Sequence, residues 1–222
     1  IIFNRCSDIL DALLFKHKYE VRRESRRGDT AKNMLRPENI LRLQSRMRQD
    51  KPHAFLISAG GNDMFTEGGH ETVFASILRD KNPDDPIDLA RMDREMNTIA
   101  SDIQTLATIA NNEGVPAFIH GYARPPMRVL GYAAVPIFAG PWINPVLQRK
   151  GYSKHQGVEI LGVILDAFND RLSNIANNAP MIEYVDLADV ITSKNHWHDE
   201  LHLDASGWQL ASRCSSSCQW FL

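Results

Sequence analysis

Asp199-Glu200-Leu201-His202 places a carboxylate and an imidazole three residues apart, ahead of a predicted last helix. A carboxylate beside a histidine fixes one tautomer of the ring and raises its basicity, as a general base that activates a hydroxyl requires. Two turns upstream carry groups of the complementary kind. Arg27-Gly28-Asp29-Thr30 offers a backbone N–H on a glycine, and Gly60-Gly61-Asn62-Asp63 offers a neutral side-chain amide. Neutral donors of this sort stabilise a developing oxyanion without bringing a competing charge. Base, orienting carboxylate and oxyanion donors together are the equipment of acyl transfer.

Neighbouring residues admit other uses. His196, His198, Asp199 and His202 within seven positions have zinc-ligand chemistry, but no distant cysteine or histidine cluster completes a site, and no metal is expected. His196 and His198 are read as loop residues. His120, at the end of an apolar run, fits either a pocket wall or a structural histidine. Each turn alone has a plain explanation, because glycine supplies positive φ and Asp or Thr caps a following helix.

These groups need a scaffold, and the hydrophobic pattern describes one. Ile9, Leu10, Leu13 and Leu14 predict a first helix, and Ile40, Leu41, Leu43 and Met47 a second. Met92, Met96, Ile99, Ile103, Leu106 and Ala110 predict a long third, and Leu161, Ile164, Leu165, Phe168, Leu172 and Ile175 a fourth. A helix from about Ala205 closes the series. Strands are predicted at Tyr19–Glu24, His53–Ser58, Val115–His120 and Met181–Val185. Their alternation with helices predicts a parallel sheet covered on both faces, a three-layer α/β/α sandwich in one domain over residues 1–222. In such sheets ligands sit at the C-terminal ends of strands. Residues 62–88 and 121–150 are predicted as long loops. The second, with Tyr122, Tyr132, Phe138 and Trp142, suits either a self-packed loop or a wall over the site.

Composition narrows the partners. With 222 residues, 43% hydrophobic and 23% charged, the chain is that of an ordinary globular protein. A formal charge of −2 argues against nucleic acid, and the Arg22-Arg23 stretch is read as a solvated face. The longest apolar stretch, 129–143, is broken by Gly131, Pro136, Gly140 and Pro141, so no transmembrane segment is expected. Three cysteines, Cys6, Cys214 and Cys218, are too few for a disulfide framework. Compartment and oligomeric state stay open.

The three motifs, in this order, resemble the SGNH (GDSL-type) hydrolase family, with its flavodoxin-like three-layer fold. Gly28 matches the family's second block, Asn62 in Gly61-Asn62-Asp63 the third, and Asp199 with His202 the fourth. His120-Gly121-Tyr122 and Gly140-Pro141-Trp142 also resemble segments of bacterial members. The resemblance implies His202 as base, Asp199 as its orienting carboxylate, Gly28 and Asn62 as the oxyanion hole, and Asp63 as a loop brace. It implies a serine ester hydrolase without cofactor, acting on a carboxylic ester, thioester or acetylated carbohydrate. The family's first block, Gly-Asp-Ser with the nucleophile, has no match here. Ser7 is read as a helix N-cap, and the nucleophile with its strand is expected upstream of Ile1. The alternatives are a catalytically incomplete relative that binds a ligand or partner, and a flavodoxin-like domain that binds phosphate at the Gly28 loop.

Overall fold

A computed structural model describes residues 9–24, 26, 28–66, 71–131, 141–188 and 190–216, the last three without side chains. Ser7, Cys6, Tyr132, Phe138 and Cys218 lie outside the described residues, as does the side chain of Cys214.

The short helices α1 (Ile9–Phe15) and α2 (Ala31–Met34) come first, then α3 (Pro37–Asp50). The α3 helix opens with Pro37 in its first turn, where proline's missing N–H costs nothing, and stops at Lys51 in a left-handed conformation. Next come β1 (Phe55–Ile57), α4 (Gly61–Phe65), α5 (Val73–Ile77) and the long α6 (Leu89–Asn112). Asp88 caps α6 by accepting the Arg91 N–H at 2.9 Å. After β2 (Ala117–His120) come α7 (Asn144–Arg149), α8 (Lys154–Asn177), β3 (Ile182–Val185) and α9 (Ala205–Ser216). A reciprocal Ser153–Gln156 capping box starts α8.

The three strands form an open parallel sheet in the order β1-β2-β3, with Leu56 opposite Phe118 and Ile119 opposite Tyr184. All four β2 residues are buried, as a central strand requires, whereas Phe55 and Leu56 of β1 are half-buried. Side chains alternate between two cores. Ala117, Ile119, Ile57 and Ile182 join the stripes of α6 and α8 on one face. Phe118 and Val185 join Ile9 and Leu13 of α1 and Ala211 of α9 on the other. The result is a mixed α/β arrangement with helices on both faces of a small parallel sheet.

The sequence pattern departs from this in three places. Tyr19–Glu24 is not a strand: it is held to α3 by side chains, with Arg22 to Asp50 at 2.5 Å and Glu24 to Arg42 at 3.3 Å. Leu41 does not join the α3 stripe and is 68% exposed. The predicted loops contain α4, α5 and α7, all too short for a periodicity reading.

Parallel strands put the ends of β1 and β2 on one edge, where the backbone must turn sharply. Gly60 has φ +108°, and a Cβ there would lie 2.8 Å from the ring of Phe168, which is fully buried. Gly28 also has positive φ, +85°, but a Cβ there would meet nothing within 4 Å. Gly60→Ala is therefore expected to destabilise by about 2–4 kcal/mol, combining backbone strain and overpacking, and Gly28→Ala by about 1–2 kcal/mol. Urea denaturation of the two variants checks the order; equal losses would contradict it.

Candidate active site

His202 and Asp199 are brought together by a closed turn. The Trp197–Leu203 antiparallel bridge seals its base, the His198 N–H donates to the His202 carbonyl at 2.8 Å, and Asp204 caps α9 directly behind by accepting the Gly207 N–H at 2.8 Å. Within the turn the Asp199 carboxylate accepts from the Leu201 N–H and the His202 N–H, both at 2.8 Å, and pairs with His202 Nδ1 at 2.9 Å. Asp199 is 1% exposed while the His202 side chain is 53% exposed. Burial pushes the Asp199 carboxyl up, but the His202 ring and the two N–H groups outweigh it and hold the group below its ordinary value. An ionised Asp199 accepts the Nδ1 proton and leaves the Nε2 lone pair available. That nitrogen bonds to no described residue.

Asn62 and the Gly28 turn form a second pair. One amide proton of Asn62 Nδ2 is donated to the Asp29 carbonyl at 2.9 Å, and the other has no acceptor among the described residues. Asp63 ties the same two turns together: its buried carboxylate accepts the Ala31 N–H at 3.0 Å and the Gly60 N–H at 3.1 Å. Thr30 Oγ1 accepts the Asn33 N–H at 3.1 Å. The Asp63 and Thr30 bonds occupy the Ala31 and Asn33 amides in the first turn of α2.

No hydrogen bond joins the Gly28–Asn62 pair to the Asp199–His202 pair among the described residues. A cavity of about 60 Å³ lies nearby, walled by Phe65 of α4, Tyr122, Glu200 and Leu201 among others, but none of the four residues of the two pairs lines it. Tyr122 of the cavity wall ties the Gly60-Gly61 turn to α8. Its hydroxyl donates to the Ala59 carbonyl at 2.8 Å and accepts the Gly61 N–H at 2.9 Å, while Asn169 of α8 grips its backbone at both N–H and C=O. Burial pushes the Tyr122 phenol far up, so the hydroxyl stays a neutral linker. Trp197 and Trp208 also line the cavity, and their buried indole N–H groups have no partner among the described residues.

Three further residues complete the surroundings of the site, of which His120 and Trp142 carry a signal in the sequence and Glu200 does not. His120 is buried and lines the cavity, with Nδ1 against the Gly121 carbonyl at 2.8 Å and Nε2 on Ser58 Oγ at 2.9 Å. Burial lowers its basicity, so it is a neutral structural contact as well as a wall. Trp142 sets its ring against His202, with centroids 5.4 Å apart and planes at 69°. Glu200 is fully buried, although it reads as one more polar loop residue. Its carboxylate accepts from the backbone N–H groups of Gly131 at 2.8 Å, Asn144 at 3.2 Å and Ile143. His196 bonds to Ser206 and His198 is exposed; among the described residues no three metal-ligating side chains converge. No described helix is long and apolar enough to cross a membrane.

Compared with known proteins, the chain matches no family model, and no curated protein matches it.

The sign of the Asp199 shift makes the pair testable without a substrate. A carboxyl held low in the folded state contributes stability above its unfolded value of about 4, and loses it as pH falls through the folded value. The melting-temperature gap between the wild type and Asp199→Asn is expected to be widest above about pH 5 and to narrow below about pH 4. A gap constant across that range would contradict an ionised, His202-bound Asp199.

Proposed function

We propose that the chain is a serine ester hydrolase of the SGNH type, with a flavodoxin-like three-layer fold, acting on a carboxylic ester, thioester or acetylated carbohydrate. The observation that carries the reading is the Asp199–His202 pair: a buried carboxylate on Nδ1, and an exposed imidazole with Nε2 uncommitted. The sheet order supports the fold. A flavodoxin-like sheet runs 2-1-3-4-5, and its last three strands are consecutive neighbours, as β1-β2-β3 are here.

In this reading His202 Nε2 takes the proton of a serine hydroxyl as the serine attacks the ester carbonyl, and returns it to the leaving alcohol. Asp199 holds the imidazolium that forms in between. The Gly28 N–H and the second Asn62 amide proton donate to the oxyanion. Water then repeats the sequence on the acyl-enzyme, with His202 again the base. No serine of this sequence stands in a Gly-Asp-Ser block, so the reading assigns the nucleophile to no residue named here. Asp63 takes no proton: its bonds to Ala31 and Gly60 make it the brace between the two donors.

p-Nitrophenyl acetate and butyrate, short esters with a good leaving group, are the probes of choice. His202→Ala is expected to lower kcat by about 10²–10⁴-fold, and Asn62→Ala by about 10²–10³-fold. Steady-state hydrolysis by folded variants checks both. A wild type that binds but does not hydrolyse these esters would give the lead to a catalytically incomplete binding domain.

A further inference from the structure

Glu200 is a buried carboxylate with no Lys, Arg or His in ion-pair distance among the described residues. Burial pushes its carboxyl up, against the pull of the backbone N–H groups of Gly131, Ile143, Asn144 and Trp142. A buried acid is tolerated only where its oxygens are hydrogen-bonded, so this set of amides and the carboxylate must stay together. Two of the amides, on Ile143 and Asn144, open α7, where the helix dipole favours a negative group. One end of the bond set is therefore the start of α7 with Trp142 just before it. The other end is two residues from His202.

Among the described residues the ring of His202 is hydrogen-bonded only at Nδ1, by Asp199, and its side chain is 53% exposed. A hydrogen bond at one nitrogen leaves the ring free to swing out of its plane about that contact. Trp142 is the ring that meets the imidazole, edge-on at 69° with centroids 5.4 Å apart, and it limits the swing on that side.

We infer that Glu200 is a positioning residue: its carboxylate fixes Trp142 against the His202 ring, and so holds the imidazole in the orientation that Asp199 sets. The catalytic meaning of this rests on the reading of His202 as general base. Glu200 touches neither substrate nor reacting atoms, and acts through Trp142.

The direct readout is the His202 ring-proton resonance, which the Trp142 ring current displaces. In Trp142→Ala that displacement is lost. In Glu200→Gln, where an NH₂ would face a backbone N–H, the resonance is expected to move toward the Trp142→Ala position. For p-nitrophenyl acetate hydrolysis, kcat is expected to fall about 10- to 100-fold in each variant, with KM changed less than about twofold. The double variant should fall no further than the worse single one, because both changes break one chain of contacts. A His202 resonance unmoved in folded Glu200→Gln, or losses that multiply in the double variant, would overturn the inference. Should Glu200→Gln not fold, Trp142→Ala still decides: an unchanged His202 resonance and kcat would overturn it. A wild type without hydrolysis would defeat the esterase reading alone, since the resonance test needs no turnover.

Discussion

Buried carboxylates satisfied by backbone amides hold the irregular edge of this sheet. Asp63, Asp199 and Glu200 are each under 7% exposed, and each accepts N–H groups that short turns would otherwise leave without partners. The strands supply little here: only three or four residues long, they end before the turns begin. Asp63 binds the Gly28 turn to the Gly60 turn, Asp199 closes the loop that carries His202, and Glu200 fastens that loop to the start of α7. An unsatisfied buried amide or carboxylate costs on the order of 1–3 kcal/mol or more, so each acid fixes a geometry as well as filling a space.

The two adjacent acids show how environment assigns different work to the same chemistry. Asp199 faces an imidazole as well as two N–H groups, and its charge is favoured despite burial. That is the condition for orienting a base and stabilising its protonated form. Glu200 faces amides without a cation, and burial prevails. It holds structure in place. The difference arises from one step along the chain, because successive side chains in a tight turn point to different neighbours.

Sequence alone was informative where the physics is local. The stripes of α6 and α8 recur every three or four residues, and β2 is apolar up to His120, so their places follow from the hydrophobic pattern. The Asp199–His202 contact is equally local, spanning three residues. Tyr19–Glu24 misleads because its alternation of apolar and charged residues suits a strand, while its charged side chains are in fact tied to α3 through ion pairs. Glu200 was invisible for the opposite reason: its partners lie 56 to 69 residues away, and nothing in a polar loop announces a buried acid. The same distance hid the Asn62–Asp29 contact, 33 residues apart, and the approach of Trp142 to His202.

The central claim is that His202, held by Asp199, activates a serine hydroxyl. Fluorophosphonate probes test it most directly, because they react covalently with a serine only when its base is in place. The account predicts that the folded protein is tagged on one serine, identified by peptide mapping, and that tagging slows by about 10²-fold or more in His202→Ala. Tagging at an undiminished rate in His202→Ala would contradict it, as would a well-folded protein that takes no tag.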